Sequence, residues 1–392
     1  MKRVLCTYLT RRVDSNLLMA GTIFQGLKDA GYLSDMIFCG TKETCRVFNE
    51  RYSGLFNSIR YINIYSDSGK GGRISLLANY WTEYIRDAFI RPYSLGQLQS
   101  VVNGEYDVVL SFVPIFASAR LGSDVAKKCL GGVRLVQFWT DPIALGGCKD
   151  AESIPRRRIL HLSEESRALS YADDVVFCYP LLMELEKAAH PEFAKKMRWS
   201  DVGYINHEKD DFVPNNEKVT VGLFGAYQRK VRNIEPLLSA LTSFPDVKFI
   251  LRGDADFEID AGRYPNLDVK YGRVPVAEVE ELEAQCDILI SLSGRYTVMP
   301  PGKTFYYASY NKPILFIVDG PRAEYMEKHF SALGRYICCT NEPMAIMRGL
   351  SSAIQALSGF TRTIPRRMCL DAIARRIVEN EQLRKEDHYV RW

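Results

Sequence analysis

Residues 287–321 read DILISLSGRYTVMPPGKTFYYASYNKPILFIVDGP. The run Ile288–Leu292 has the length and branching of a buried β-strand, and Ile314–Val318 repeats that pattern. Between them a Pro-Pro pair introduces Gly302–Tyr310 as a short helix, because a proline at the first helical position lacks only an N–H that has no partner there. Strand, loop, helix and strand in this order form a βαβ unit, which predicts a parallel sheet.

The loop between the first strand and the helix is a predicted phosphate site. In a parallel sheet, ligands bind beyond the carboxyl ends of the strands, and backbone N–H groups at a helix N-terminus attract anions. Pro301 and Gly302 begin this helix, and Lys303 and Thr304 add an ammonium and a hydroxyl in its first turn. A plain helix start is the alternative for a Pro-Pro-Gly-Lys sequence, so the interpretation depends on what else lies nearby.

The composition limits the class of protein. A chain of 392 residues suggests about two or three domains, and 47% hydrophobic with 25% charged residues is typical of a globular protein. A net charge of +4 gives no support for nucleic acid as a partner. Ten cysteines without metal-binding spacing are expected to be reduced core thiols. Because no apolar run resembles a signal peptide or a membrane span, we expect a cytoplasmic protein.

The first 204 residues alternate strand and helix patterns, which predicts a doubly wound parallel sheet. The predicted strands are Arg3–Tyr8, Asp35–Gly40, Tyr61–Tyr65, Asp107–Phe112, Arg134–Phe138, Asp174–Cys178 and Ser200–Gly203. A long helical region, 74–102, is broken at Pro92. The sequence GKGGR within 66–73 lacks the spacing of a P-loop, so we interpret it as a mobile surface loop.

The polar, turn-rich segment 205–218 is the best candidate for a linker. The alternation then restarts with the strands Val219–Phe224, Val247–Arg252 and Leu267–Tyr271 and the helix Val276–Gln285. We therefore predict an α/β protein of two Rossmann-like doubly wound domains, 1–204 and 205–365, that face a cleft. The basic amphipathic helix in 366–392 is predicted to pack against a domain, including a return onto the first one, and peripheral membrane contact is the alternative.

A second group of charges follows the first strand of the second domain. Gly225–Asn233 reads GAYQRKVRN, so Arg229, Lys230 and Arg232 stand just before a predicted helix. Cations at a helix N-terminus oppose the helix dipole, so their presence there indicates an anion. Together with Lys303 they predict a diphosphate site, and a solvated loop is the alternative.

Two acidic motifs are candidates for a catalytic or metal-binding role. Asp141 follows the predicted strand Arg134–Phe138 in QFWTDP, where ligands bind in parallel sheets, but an Asp-Pro turn explains it equally well. Asp254 and Asp256 form a DxD after the second strand of the second domain, and we interpret them as a solvated turn. The sequence thus predicts Asp141 as the catalytic candidate and no metal ligands in the site.

The order of these motifs resembles GT-B glycosyltransferases, particularly the family 4 type used for bacterial surface polysaccharides. The Gly225 loop with Arg232-Asn233 is similar to the family's glycine loop and its basic residue. Arg273-Val274 lies in RYPNLDVKYGRVPVAEVEEL, which resembles the segment that lines the nucleobase pocket. PPGKTFYYASYNKPIL resembles the family's proline–Ser–Lys helix, and EYDVVLSF and QFWTDP look like strands of the first domain.

Several positions depart from the family pattern. Where the family has a glutamate that binds the donor ribose, this chain has Tyr306, and the other family glutamate falls on Val298. Asn311 replaces the glycine before Lys312-Pro313, and 14–16 replace an N-terminal glycine pair. Tyr306 can hydrogen-bond a hydroxyl through its phenol, but it cannot act as a carboxylate acceptor.

The resemblance implies a hexosyltransferase-like enzyme that moves a sugar from a nucleotide-diphosphate sugar to a glycan or lipid-linked glycan. It also implies retention of the anomeric configuration, no metal, no cofactor besides the donor, and a location in the cytoplasm or at the inner face of the membrane. Asp141 would orient or deprotonate the acceptor. The alternatives are a nucleotide-sugar epimerase, which needs a carboxylate pair about the sugar, and a non-catalytic partner with the same fold, which the missing glutamates favour.

Overall fold

The computed structural model describes residues 2–11, 15–64, 90–102, 104–140, 155–203, 217–272, 274–360 and 366–380. The described residues form two compact units. The first unit holds 2–203 together with 366–380, and the second holds 217–360, with the gaps just given. The first unit therefore combines segments that are distant in the sequence.

A parallel sheet of seven strands forms the centre of the first unit. Its strands are β1 (Arg3–Thr10), β2 (Leu33–Gly40), β3 (Ser58–Asn63), β4 (Val108–Val113), β5 (Arg134–Trp139), β6 (Asp174–Phe177) and β7 (Met197–Trp199). They lie in the order β3-β2-β1-β4-β5-β6-β7, and every pair is parallel. Because the order reverses between β1 and β4, the sheet is doubly wound, as the alternation predicted.

Helices connect these strands and bury their apolar sides against the sheet. They are α1 (Ser15–Asp29), α2 (Lys42–Tyr52), α3 (Leu95–Val101), α4 (Phe116–Ala126), α5 (Pro155–Tyr171) and α6 (Pro180–Ala189). Phe24 of α1 meets Phe48 of α2 and Phe112 of β4 edge-on, with ring centroids 5.9 and 4.9 Å apart. Edge-to-face ring pairs are favourable, so these aromatic side chains fix α1 and α2 against the sheet.

The second unit repeats the plan with a parallel sheet of six strands. Its strands are β8 (Thr220–Phe224), β9 (Lys248–Gly253), β10 (Leu267–Tyr271), β11 (Ile288–Leu292), β12 (Ile314–Val318) and β13 (Ile337–Thr340). Its helices are α7 (Glu235–Leu241), α8 (Val276–Gln285), α9 (Gly302–Tyr307), α10 (Ala323–Ser331) and α11 (Pro343–Ala356). The strand order is β10-β9-β8-β11-β12-β13, and every residue of β8, β11 and β12 is buried. Complete burial is typical of parallel strands covered on both faces.

One predicted strand was wrong. Residues Ser200–Gly203 are not a strand, and β7 instead takes Met197–Trp199, where it pairs with Val175–Phe177. Asp201, within the predicted strand, instead places its carboxylate in a buried ion pair with Arg367.

The predicted helix 302–310 was too long, since α9 ends at Tyr307. The guanidinium of Arg335 donates hydrogen bonds to the carbonyl oxygens of Ala308 at 3.1 Å, of Lys312 at 3.2 Å and of Tyr310. A buried arginine that binds these carbonyl groups satisfies them without further helical turns. The chain therefore leaves the helix early and turns into β12.

The C-terminal helix α12 (Leu370–Glu379) packs on the first unit. Its apolar residues Ile373, Ala374 and Ile377 are buried. Arg198 donates from its guanidinium to the carbonyl oxygens of Arg376 and Ile377 at 2.6 and 2.7 Å, and so binds the carboxyl end of the helix. Within the described ranges, no helix has the length and apolar character to span a bilayer.

A buried ion pair precedes α12. The guanidinium of Arg367 donates to the carboxylate of Asp201 at 2.9 and 3.2 Å, and Arg376 lies 3.8 Å from the same carboxylate. All three side chains are almost fully buried. A two-pronged arginine–carboxylate contact is directional, so it fixes the 366–380 segment in one position on the first unit.

Candidate functional site

The second sheet has one point at which the chain leaves neighbouring strands in opposite directions. β8 and β11 are adjacent, but the chain continues from β8 toward β9 on one side and from β11 toward β12 on the other. In open α/β sheets, ligands bind outside the carboxyl ends of the strands at such a point. The loop 225–234 follows β8 and the loop 293–301 follows β11. Both loops that the sequence predicted to hold a diphosphate therefore flank this position.

Polar groups from four strand ends are connected there. The N–H of Arg295 donates to the carbonyl oxygen of Val231 at 2.8 Å and thus joins the two loops. The guanidinium of Arg295 lies 3.6 Å from Asp319, beyond β12. The side-chain amide of Asn341, beyond β13, donates to Asp319 at 3.0 Å and to the carbonyl oxygen of Asn233 at 2.9 Å. Sequence reasoning missed Arg295, Asp319 and Asn341, although each stands within a few residues of a strand's carboxyl end.

Glycine is required where the loop after β8 begins. Gly225 has φ +142° and Gly253, at the end of β9, has φ +146°. A Cβ on Gly253 would lie 1.7 Å from the carbonyl oxygen of Gly225, so no larger residue fits. The buried hydroxyl of Tyr227 lies 2.6 Å from the carbonyl oxygens of Leu223 and Arg252. The loop is therefore anchored to β8 and β9 before it reaches its basic residues.

Two of the three predicted cations in this loop are exposed. The guanidinium of Arg229 lies 3.1 Å from the carboxylate of Glu235 and 4.8 Å from the centroid of the Phe257 ring. Its backbone N–H donates to Asp256 at 3.0 Å. Lys230 is exposed. Arg229 therefore already has a carboxylate partner.

Asp254 and Asp256, the two carboxylates of the DxD, are both exposed. Asp256 accepts the N–H of Arg229, as described above, and the carbonyl oxygen of Asp254 accepts the N–H of Tyr227 at 2.7 Å. These contacts support the interpretation of the motif as a solvated turn that holds the loop.

Arg232 differs from its neighbours because its charge is largely withdrawn from water. Burial lowers the pKa of its guanidinium. Its Nε has no hydrogen-bond partner, and no carboxylate among the residues that the structure describes lies within ion-pair distance of it. Its backbone N–H donates to the carbonyl oxygen of Gln228 at 2.7 Å, and its carbonyl oxygen accepts the N–H of Gln228 at 3.2 Å, which forms a tight turn. Partial burial of a cation without a counter-charge is unfavourable, so Arg232 is a candidate for binding an anion.

Lys303 does have a counter-charge. Its ammonium lies 2.5 Å from the carboxylate of Glu283 on α8 and 5.5 and 5.3 Å from the ring centroids of Phe224 and Tyr307. The Glu283 side chain is 1% exposed, whereas that of Lys303 is 37% exposed. The first turn of α9 thus presents an ammonium that a buried carboxylate partly neutralises. The sequence did not indicate this partner.

Tyr306 belongs to the same network. Its hydroxyl lies 3.1 Å from that of Tyr310, which in turn donates to the second carboxylate oxygen of Glu283 at 3.2 Å. Tyr306 is half-buried, whereas Tyr310 is buried. A chain of hydrogen bonds therefore runs from the buried carboxylate of Glu283 to the phenol of Tyr306. Tyr306 stands where the family that the sequence resembles has a ribose-binding glutamate.

Thr304 takes a structural place at the start of α9. Its buried hydroxyl lies 2.7 Å from that of Ser291 on β11, and its N–H donates to the carbonyl oxygen of Pro301 at 2.9 Å. The hydroxyl of Tyr336 donates to its carbonyl oxygen at 3.0 Å. These contacts fix the helix start against the sheet, and they leave the backbone of Gly302 and the side chain of Lys303 nearer to the surface. We therefore do not assign the Thr304 hydroxyl to an anion.

The other predicted site residues have mixed positions. Val274 is half-buried between β10 and α8, and Val298 is fully buried. Asp141 and Arg273 lie outside the described residues, as do 205–216 of the predicted linker, 66–73 with GKGGR, 74–89 of the predicted helical region and residue 14. Their predicted roles stay predictions.

Comparisons with known proteins address the fold. No protein-family model matches the sequence, and no curated protein matches it. The chain is similar to the solved structure of the lipopolysaccharide outer core galactosyltransferase WaaB in its apo form, with 13% identity, a TM-score of 0.55 and coverage of 97% of this chain and 100% of that one. It is also similar to Alr3699/HepE from Anabaena in complex with UDP and glucose, with 13% identity, a TM-score of 0.53 and coverage of 97% and 95%.

A third similar structure is a UDP-N-acetylglucosamine 2-epimerase, with 14% identity, a TM-score of 0.51 and coverage of 97% of this chain and 95% of that one. At these identities the likeness establishes the fold alone. The chain consists of two Rossmann-like domains with parallel α/β sheets and is GT-B-like, which confirms the fold class predicted from the sequence.

Proposed function

We propose that this chain is a glycosyltransferase that takes a sugar from a nucleotide-diphosphate sugar and transfers it to a glycan or glycolipid acceptor. The diphosphate would bind at the carboxyl edge of the second sheet, between the loop 225–234 and the first turn of α9. The GT-B-like fold and the ordered resemblance of the motifs to family 4 support this proposal. So does the UDP bound to Alr3699/HepE, one of the similar structures.

The observation that carries the proposal is the state of Arg232. Its guanidinium is partly withdrawn from water and lacks a carboxylate partner among the described residues, at the point where such sheets bind ligands. A diphosphate oxygen would supply the missing charge and accept from the unpaired Nε. We favour a diphosphate over a single phosphate because its two phosphate groups can contact both loops that meet at this point.

In the proposed reaction, Arg232 stabilises the charge that develops on the leaving nucleoside diphosphate. Backbone N–H groups of Gly302 and Lys303 would assist, because the first N–H groups of a helix have no intrahelical partners. α9 has six residues, so its dipole is small and the fixed cation contributes more than the helix does. Lys303 would add charge to the extent that its contact with Glu283 loosens.

The acceptor part of the proposal follows from the resemblance. Asp141 would orient the acceptor hydroxyl or remove its proton, and the anomeric configuration would be retained. Asp141→Asn is expected to lower turnover and to leave the affinity for the donor nearly unchanged. Steady-state kinetics together with calorimetric donor binding would measure both, and normal turnover would remove Asp141 from the site.

Calorimetry with a panel of nucleoside diphosphates tests the donor site. We expect one nucleoside diphosphate to bind the full chain. Arg232→Ala should weaken that binding roughly 10- to 100-fold, because a hydrogen bond to a charged group contributes about 1.5–3 kcal/mol. Binding of the corresponding nucleoside should change much less, because it lacks the anion. The matched control is Arg46→Ala, which removes the same charge from an exposed pair with Glu50 on α2.

The outcomes separate the alternatives. Equal losses for diphosphate and nucleoside would assign Arg232 a structural role and contradict the proposal. No binding of any nucleoside diphosphate would indicate a non-catalytic protein with this fold. Conversion of a labelled nucleotide sugar to an isomer without an acceptor would indicate an epimerase, the activity in the name of one similar structure.

A further inference from the structure

Three buried side chains with metal-binding groups meet in the first unit, on the segments that flank β6. They are Glu165 on α5, Glu186 on α6 and His190, which directly follows α6. Their exposed fractions are 0%, 0% and 3%. One carboxylate oxygen from each glutamate and one ring nitrogen of the histidine all lie within 4.8 Å of one another. The candidate donor site lies in the other unit and uses none of these residues.

The local sequence brings these groups together. Glu186 and His190 are four residues apart in EKAAH, and the N–H of His190 donates to the carbonyl oxygen of Glu186 at 2.8 Å, so they occupy successive turns on one side. The preceding helix α5 supplies Glu165, whose Oε2 lies 3.2 Å from the Nε2 of His190. A pair of ligands at this spacing on a helix is a recurrent way to bind zinc. The spacing of the cysteines gives no indication of this cluster, because none of its three members is a cysteine.

Glu186 provides the main evidence that this cluster binds a ligand. Both of its carboxylate oxygens are buried and have no hydrogen-bond partner among the residues that the structure describes. No lysine or arginine in the described part of the chain forms an ion pair with it. An ionised carboxylate in this environment is strongly unfavourable unless a cation or a proton joins it.

We propose that Glu165, Glu186 and His190 bind one divalent transition-metal ion, and that the ion is zinc. An imidazole nitrogen with carboxylate oxygens is a ligand set for zinc, whereas magnesium and calcium prefer oxygen alone. Tetrahedral zinc with bonds of about 2.1 Å separates its ligands by about 3.4 Å, close to the 3.2 Å between Glu165 and His190. Two carboxylates and a neutral imidazole also balance the charge of the ion.

The surroundings of the cluster favour a closed, structural site. Neither oxygen of Glu186 has a partner among the described residues, so Glu186 can bind the ion through both in a distorted tetrahedral geometry that needs no water. The other ring nitrogen of His190, Nδ1, lies 3.9 Å from a carboxylate oxygen of Glu192. That distance is too long for a hydrogen bond, but the negative charge of Glu192 still favours a cation bound to the ring. The ion would link α5 to α6 and thereby stabilise the first unit.

A proton is the competing explanation. Without an ion, burial and the neighbouring Glu165 raise the pKa of Glu186 to about 10, so a protonated carboxyl would also neutralise it. The two explanations differ in what a glutamine at 186 would do. Glutamine resembles the protonated acid in shape and charge, but it is a poor ligand for zinc.

Metal analysis of the tag-free full chain tests the proposal. After incubation with zinc and removal of the excess, elemental analysis should give about one zinc ion per chain at this site. A chelator should lower the Tm of the first unit by about 5 °C or more, and zinc but not magnesium should restore it. Glu186→Gln should lose the ion and reproduce the lowered Tm, whereas Glu184→Gln, an exposed change on the same helix, should retain both.

Cobalt substitution keeps the test decisive if Glu186→Gln does not fold. Cobalt(II) at the site should give the visible absorption of a tetrahedral ion without the thiolate-to-metal band that cysteines would produce. The proposal is overturned if the wild-type chain takes up no stoichiometric zinc. It is also overturned if Glu186→Gln has the wild-type Tm and zinc content, or if the cobalt spectrum shows thiolate ligands.

Discussion

Glu283 controls how much positive charge the first turn of α9 can offer to an anion. Its buried carboxylate accepts from Lys303 at 2.5 Å and from Tyr310 at 3.2 Å. An ammonium in contact with a carboxylate has little net attraction for a second anion beyond the pair. At the scale of single residues, Lys303 is therefore a compensated cation, whereas Arg232 is a partly buried cation without a carboxylate partner among the described residues.

Glu283→Gln should strengthen nucleoside diphosphate binding, roughly 3- to 10-fold, because it releases the charge of Lys303 while it keeps the size of the side chain. It should also destabilise the second unit by about 1–2 kcal/mol through the loss of charge-assisted hydrogen bonds. Calorimetry measures the first effect and thermal unfolding the second. Glu281→Gln removes a carboxylate from an exposed position of the same helix and serves as the control. Weaker binding by Glu283→Gln would mean that Glu283 positions Lys303 for the ligand.

The sequence singled out the basic residues of the loop after β8 and Lys303, but it did not indicate their electrostatic states. Arg229 and Arg232 are three residues apart, yet Arg229 lies beside Glu235 whereas Arg232 is partly buried without a counter-charge. Lys303 is paired with Glu283, twenty residues earlier on another helix. Such pairings depend on how α8, α9 and the loop after β8 pack, and no local pattern in the sequence reports that packing.

At the scale of elements, uniform apolar runs were predicted well and polar ends were not. β11, β12 and α8 begin and end at the predicted residues, because a buried strand or an amphipathic helix leaves a continuous pattern. β10, which alternates apolar and polar residues, also has the predicted bounds. α9 stops three residues early: the N–H groups of Ala308 and Tyr310 bond carbonyl oxygens three residues back instead of four, and Arg335, a distant residue, binds the carbonyl oxygens of the same two residues. Helix and strand ends are thus decided by tertiary hydrogen bonds that a local pattern does not contain.

The ion pair between Asp201 and Arg367 attaches α12 to the first unit. Asp201→Asn should destabilise that unit by about 3–5 kcal/mol, because it leaves the guanidinium of Arg367 buried without its counter-charge. Urea unfolding followed by far-UV circular dichroism would measure the loss. Glu50→Gln, which removes a carboxylate from the exposed pair with Arg46, should change stability by less than about 0.5 kcal/mol. A similar small change for Asp201→Asn would show that apolar packing alone holds the helix.

At the scale of the whole molecule, the two units share a strand order but differ in continuity. In each sheet, the order in which the chain adds strands reverses once, between β1 and β4 in the first unit and between β8 and β11 in the second. Among the described residues, the second unit is contiguous in the sequence, whereas the first is completed by 366–380. The stability of the first unit therefore depends on residues that the chain reaches only after the second unit ends.

This difference predicts how truncation acts. A chain that ends at Phe360 lacks Arg367 and the buried apolar face of α12, so the first unit should unfold at a lower temperature. Compared with a chain that ends at Asn380, the second unit should keep its Tm and its stabilisation by a nucleoside diphosphate, because 366–380 do not belong to it. Calorimetric scans with and without the nucleotide would assign the two transitions, and a chain that ends at Asn380, which retains α12, is the control. Loss of nucleotide stabilisation in the shorter chain alone would contradict the assignment of donor binding to the second unit, because it would mean that the nucleotide also requires the first.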